Sequence, residues 1–278
     1  MTLFLVLTVL LSIVTFSVYN SLGGYTLYLT AFMWSPGFAA ILTLKLTKRS
    51  LASLGWNWGD WRYQWESYLL PIGYVAAAYL IIWTLGLAGF PNHAFVERLT
   101  ERYGLQGIAP AIVIAVHVIM TGSLGVVTYA GTALGEEIGW RGFLVPELAK
   151  HLSIPQVGLV AGLIWALWHV PLFLVGGGID RATLLALACF TLMVLGLSMI
   201  MTWLRCVSGS LWTGVWLHAS HNVFVQRIAT PLTESSEGTD LWIDETGLIL
   251  PLVVVALGLV YWRRAKSATP TNSPSPDK

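Results

Sequence analysis

Charged residues are scarce in this chain: they make up 10% of its 278 residues, whereas apolar residues make up 56% and mean hydropathy is +0.71. Soluble domains carry about 25% charged residues, so this composition excludes an ordinary soluble fold and predicts a chain that crosses a bilayer several times. Cysteine is almost missing. Cys189 and Cys206 lie in or at the end of one apolar stretch with no partner pattern, which excludes a disulfide framework and a cysteine metal site. No run of basic residues is long enough to bind nucleic acid, and the formal net charge is only +1. No internal repeat is visible either.

What the chain does have is a series of long apolar stretches. The first, Thr2 to Tyr19, lacks the basic flank of a signal peptide and is long enough to span a bilayer. Others run at about Tyr25 to Leu44, Tyr68 to Phe90, Ile108 to Leu134, Pro155 to Val175, Ala182 to Leu204, Gly209 to Ile228 and Gly247 to Trp262. They predict an all-α, polytopic membrane protein with about eight transmembrane helices around an intramembrane polar cavity. The organisation expected is N-terminal helices with an interfacial segment over 1–107, a helical core over 108–228, a last loop and C-terminal helix over 229–266, and a disordered tail over 267–278. Between Ser50 and Glu66, Trp56, Trp58, Trp61 and Trp65 read as indoles at headgroup level. If the spans alternate from a cytoplasmic N-terminus, eleven of the fifteen Lys and Arg lie inside, among them Lys48, Arg49, Lys150 and Arg205. Only Arg98, Arg102, Arg181 and Arg227 lie outside, beside an acidic last loop with Glu234, Glu237, Asp240, Asp244 and Glu245. The positive-inside rule then sets both termini in the cytoplasm, consistent with a multi-pass protein of the plasma membrane.

Against this background the stretch Gly135-Glu136-Glu137-Ile138-Gly139-Trp140-Arg141-Gly142-Phe143-Leu144 stands out, because ionisable groups at membrane depth are costly and mark functional interiors. Glu137 and Arg141 are four residues apart with the acid first, the favourable order for an ion pair on one helix face. Glu136 lies about 100° around the helix and is left without that partner. Elsewhere His169 closes Trp165-Ala166-Leu167-Trp168-His169, and His218 and Asn222 are four apart in His218-Ala219-Ser220-His221-Asn222. Each taken alone can be a histidine or amide bonded to a neighbouring helix. Their depths coincide, however. A hairpin turning at Leu152 and Ser153, just before Pro155, sets Glu136 and His169 level, and counts from the Gly176-Gly177-Gly178 turn and from the turn near Val207 bring His169 and His218 to similar depth. The stretch from Ile108 to Lys150 is too long for one straight span and predicts a break near Gly122, Gly125 or Gly131. The residues by themselves reach as far as a polar cavity with a carboxylate, two imidazoles and an amide.

Glu136-Glu137-x-x-x-Arg141 with Gly142-Phe143-Leu144, the His169 element and His218-x-x-x-Asn222 together resemble the three motifs of the CPBP family of intramembrane proteases, which includes type II CAAX prenyl proteases. The motif region runs from about Gly122 to Phe224. Trp165 stands where the family usually has Phe, and His221 is an additional histidine between the matched pair. The resemblance implies hydrolysis of a membrane-associated peptide or protein substrate, prenylated or not, within the lipid bilayer. It implies that Glu136 and His169 activate a water, that His218 and Asn222 donate to the oxyanion, and that Glu137 and Arg141 support the helix carrying Glu136. No cofactor is expected. A zinc enzyme using Glu136, His169 and His218 is the alternative chemistry, weakened by the lack of His-Glu-x-x-His spacing. A transporter or a non-catalytic scaffold conferring bacteriocin immunity is the alternative class. Helical phase turns His218 and Asn222 to one face and His221 to the side, and the inside assignment predicts a cavity opening toward the cytoplasm.

Overall fold

Lipid offers no hydrogen bonds, so an apolar chain satisfies its backbone there as helix. The computed structural model, which describes residues 1–22, 26–174 and 180–267, is helical nearly throughout. The helices are α1 (Thr2–Ser21), α2 (Thr26–Met33), α3 (Ser35–Leu46), α4 (Trp61–Thr84), α5 (His93–Tyr103), α6 (Pro110–Met120), α7 (Val126–Glu137), α8 (Val145–Ala149), α9 (Ile154–Phe173), α10 (Arg181–Ser208), α11 (Trp212–Val223), α12 (Thr230–Leu232) and α13 (Ile249–Ser267). Among the described residues there is no strand, only an isolated bridge between Gly89 and Glu234. The glycine turn at 176–178 and the tail beyond Ser267 lie outside the described residues.

The expected all-α membrane architecture is present, but the spans differ from the apolar stretches. Among the described residues, five helices are long and apolar enough to cross a membrane: Thr2–Ser21, Trp61–Thr84, Pro110–Ala149, Ile154–Phe173 and Arg181–Ser208. The stretch expected from Tyr25 to Leu44 is broken at Trp34 into α2 and α3, because Pro36 in the first turn of α3 has no N–H to continue the ladder. The break expected near Gly122 is a π-helical turn, Thr121–Gly125, within one continuous 40-residue helical rod. A second π-helical stretch, Ile138–Leu144, begins directly after Glu136 and Glu137, and a third, Phe224–Ala229, directly follows α11. Such wide turns recur at functional sites.

Local signals account for the turns. Ser153 and Gln156 form a capping box at the start of α9, with Pro155 in its first turn, where the hairpin was expected. Gly209, at φ +66°, ends α10 in a conformation that favours glycine. Asp60 caps α4 by accepting from the Arg62 N–H, so α4 begins seven residues before the apolar stretch does. In the first turns of α4, Trp61 and Trp65 are exposed, while before α4 the Trp56 carbonyl accepts from the Trp212 indole N–H.

The bundle is held around the rod. α10 lies between α9 and α13, α11 lies between α4 and α7, and α3 crosses α7 and the π-helical stretch after it. That last crossing is close because Gly135 and Gly139 present no side chain: a Cβ on Gly135 would stand 2.5 Å from the Trp34 ring, and one on Gly139 would stand 2.4 Å from Pro36 Cβ. Gly139→Ala should therefore cost about 1–3 kcal/mol of stability, as overpacking does. Gly131→Ala, where a Cβ meets nothing within 4 Å, should be neutral or gain up to about 1 kcal/mol from helix propensity. Thermal unfolding in detergent compares the two, and a Gly139→Ala variant as stable as wild type would mean that α3 is not seated tightly.

Candidate active site

Four of the expected residues line one cavity of about 570 Å³: Glu136 from α7, His169 from α9, and His218 and Asn222 from α11. Glu137 and Arg141 lie behind it, 0% and 1% exposed. Glu136 and His218 are themselves buried, and apolar side chains such as Leu172, Phe173, Phe190 and Met193 share the cavity lining.

The charged groups are joined into a closed ring. The Arg141 Nη1 donates to Glu137 Oε1 at 3.0 Å, the pair implied by their spacing. The same oxygen lies 3.0 Å from His218 Nδ1, and His218 Nε2 stands 3.9 Å from Glu136 Oε1. The Trp165 indole N–H donates to Glu136 Oε2 at 2.8 Å, while the Arg141 guanidinium lies 4.2 Å from the Trp165 ring centroid. Trp165 thus closes the circuit from Glu136 back to Arg141 through a hydrogen bond on its edge and a cation–π contact on its face. Gly214 makes room for it: a Cβ there would stand 2.6 Å from Glu137 Oε2. Glu136 is consequently not the unpartnered carboxylate that helical phase suggested.

His169 does not bond Glu136 directly. Its Nδ1 lies 2.9 Å from the Trp165 carbonyl, an oxygen that can only accept, so Nδ1 carries a proton and a neutral ring leaves Nε2 as an acceptor. Trp168 and Phe190 hold the ring at centroid distances of 4.8 and 5.0 Å. Asn222 lines the cavity one turn beyond His218. His221 is also in the cavity wall rather than turned away: its Nδ1 lies 2.7 Å from the Tyr74 hydroxyl and its Nε2 stands at ion-pair distance, 3.2 Å, from Glu245 Oε1. Among the described residues no three His, Cys, Asp or Glu side chains are grouped as a metal site, so the zinc set gains no geometric support.

Two features escape sequence reasoning. Trp165 enters the sequence reading only as the residue that stands where the family usually has Phe, although an indole N–H in an apolar helix needs a partner and so signals a polar neighbour. Glu245 belongs to the last loop, and no spacing rule connects it to α11. It enters the cavity wall, where Gln226 Nε2 donates to it at 2.8 Å. Burial works against its charge, yet the hydrogen bond and charge of His221 and the Gln226 amide hold its carboxyl below the usual range. The neighbouring Asp244, at φ +66°, gives its N–H to the Tyr79 hydroxyl, and burial together with the charge of Glu245 pushes its carboxyl up to about 6.

The cavity also runs the other way from expectation. From Glu136 its lining passes Ala133 and Tyr129 on α7, Leu172 and Phe173 on α9, and Gln226 and Glu245, away from the end that holds Lys48, Arg49, Lys150 and Arg205. Toward that basic end the bundle is closed by buried Trp140, Arg141, Phe143 and Leu144, with Arg205 Nε donating to the Arg141 carbonyl at 2.9 Å.

An all-helical membrane protein with a carboxylate, imidazoles and an amide converging on one cavity is the class that fold and site define. Residues 119–224, inside the expected core, match the family described as type II CAAX prenyl endopeptidase, Rce1-like. It is similar to the CAAX prenyl protease 2 of Methanococcus maripaludis, with 32% identity over 73 residues that cover 25% of this chain. The matched stretch spans 27% of that relative's length.

The loop that carries Glu245 has a defined pH response. A carboxyl whose folded value is raised contributes its full stability below its unfolded value near 3.8 and loses it as pH rises through about 6. Asp244→Asn keeps the oxygen that accepts from the Glu245 N–H and tolerates positive φ. Its melting temperature should equal wild type near pH 4 and exceed it by pH 8. A difference independent of pH would mean that Asp244 titrates like an exposed carboxylate.

Proposed function

We propose that this protein is an intramembrane endopeptidase that hydrolyses a peptide bond of a membrane-associated substrate with a glutamate-activated water. The observation that carries the reading is Glu136: a buried carboxylate on the segment matching the CAAX prenyl endopeptidases, aimed into the cavity by Trp165 and facing His218. Glu136 and His169 Nε2 both accept, so between them they hold the two hydrogens of one water and leave its oxygen lone pair for the substrate carbonyl. Glu136 takes the proton as the water attacks and is the source of the proton that the leaving amine requires.

His218 and Asn222 donate to the oxyanion. His218 works in its doubly protonated form, with Nδ1–H on Glu137 and Nε2–H toward the substrate. Glu137 thereby orients His218 as well as bracing Arg141, which explains why two adjacent glutamates serve one site. The reaction as drawn uses no metal. A prenylated CAAX protein is one substrate that the family resemblance suggests, and an unprenylated membrane peptide is the other.

Glu136→Gln keeps the shape but cannot take the proton, so hydrolysis of a membrane peptide should fall to background while the variant stays folded; wild-type rates in this variant would remove the assignment. Activity in wild type should survive strong chelators, and its loss would reinstate zinc. Trp165→Phe removes the indole donor from Glu136 while keeping an aromatic face for Arg141. It should lower kcat by about tenfold, within the ordinary range of one hydrogen bond to a charged group, with KM little changed.

A further inference from the structure

The cavity contains a second carboxylate that the proposed chemistry does not use. Glu245 is anchored through one oxygen: Oε1 accepts from the Gln226 amide and stands at ion-pair distance, 3.2 Å, from His221 Nε2, while Oε2 has no hydrogen-bond partner among the described residues. Its anchor is firm, because His221 is buried and fixed on its other side by the buried Tyr74. The carboxylate is carried by a backbone held on either side by Asp244 N–H on the Tyr79 hydroxyl and Leu248 N–H on the Leu241 carbonyl. A preorganised acceptor oxygen on the wall of a mostly apolar cavity has the form of a recognition group.

We propose that Glu245 is a specificity-determining residue whose Oε2 receives a lysine or arginine side chain of the substrate. The inference rests on reading the cavity as a peptidase site. Its position sets the substrate register. His221 is three residues beyond His218, a rise of about 4.5 Å along α11, and Glu245 lies a further 3.2 Å from His221. An extended peptide advances about 3.3 Å per residue, so the basic side chain belongs about two residues from the bond that Glu136 attacks. A cation is the strongest donor available to a carboxylate in so apolar a setting, and an acidic side chain there would meet like charge. The apolar lining, with Leu172, Phe173, Phe190 and Met193, takes the apolar remainder of the peptide.

A series of apolar peptides tests this, each carrying Lys, its uncharged analogue norleucine, or Glu at one position in turn. Wild type should prefer Lys over norleucine about tenfold in kcat/KM at a position about two residues from the cut and disfavour Glu there. In Glu245→Gln that ratio should collapse toward one, and in Glu245→Lys the preference should pass to Glu. Equal cleavage of Lys and norleucine peptides at every position, or a Lys preference that persists in Glu245→Gln, would overturn the proposal. Equilibrium binding of the same peptides to the Glu136→Gln protein reads the subsite without turnover: a Lys preference there that needs Glu245 supports it, and none overturns it. An absence of cleavage by wild type alongside such a binding preference would instead count against the peptidase reading alone.

Discussion

Burying charge without a partner is the most expensive thing a membrane helix can do, and the structure is arranged around a single solution to it. Two glutamates, one arginine, one histidine and one tryptophan form a loop of contacts in which every member touches the next. Glu136, Glu137 and Arg141 sum to one formal negative charge, which a protonated His218 between the two glutamates balances. Removing any member leaves a buried neighbour uncompensated. The close fit of α3 on Gly135 and Gly139, and of Glu137 on Gly214, follows from the same need: water must stay out of the side of the ring that does no work.

The ring also separates two jobs. On its closed side, Glu137 and Arg141 are fully enclosed beneath Trp140, Phe143 and Arg205. On its open side, Glu136 and His218 reach the cavity while still held by Trp165 and Glu137. A carboxylate that is oriented but accessible is what water activation requires, and it arises here because its restraints come from behind.

Local rules were readable wherever the interacting residues are near in sequence. Glu137 and Arg141 follow from a spacing of four, the start of α9 from Pro155, and the interruption of the long rod from its glycines. The convergence of Glu136, His169, His218 and Asn222 followed from depth counting, because a bilayer fixes where along each helix a residue must lie. The remainder depended on tertiary contacts. Nothing near Glu245 announces that it meets His221, and nothing near Trp34 announces a kink except Pro36 two residues on. The direction of the cavity was missed for a related reason: charge bias orients the chain relative to the membrane, whereas the cavity runs where side chains fail to fill space.

The three wide helical turns carry a consequence of their own. Each closes i to i+5 where the surrounding helix closes i to i+4, so it accommodates an additional residue while the backbone remains bonded. Such a turn is a phase shifter: it decides which face of the following helix looks inward without changing any residue on that face. One stands before Glu136, one immediately after Glu137, and one just past Asn222. A lineage of such chains could therefore re-aim its cavity by gaining or losing a single residue in the first or the third wide turn, which hold no motif residue, leaving every motif side chain untouched.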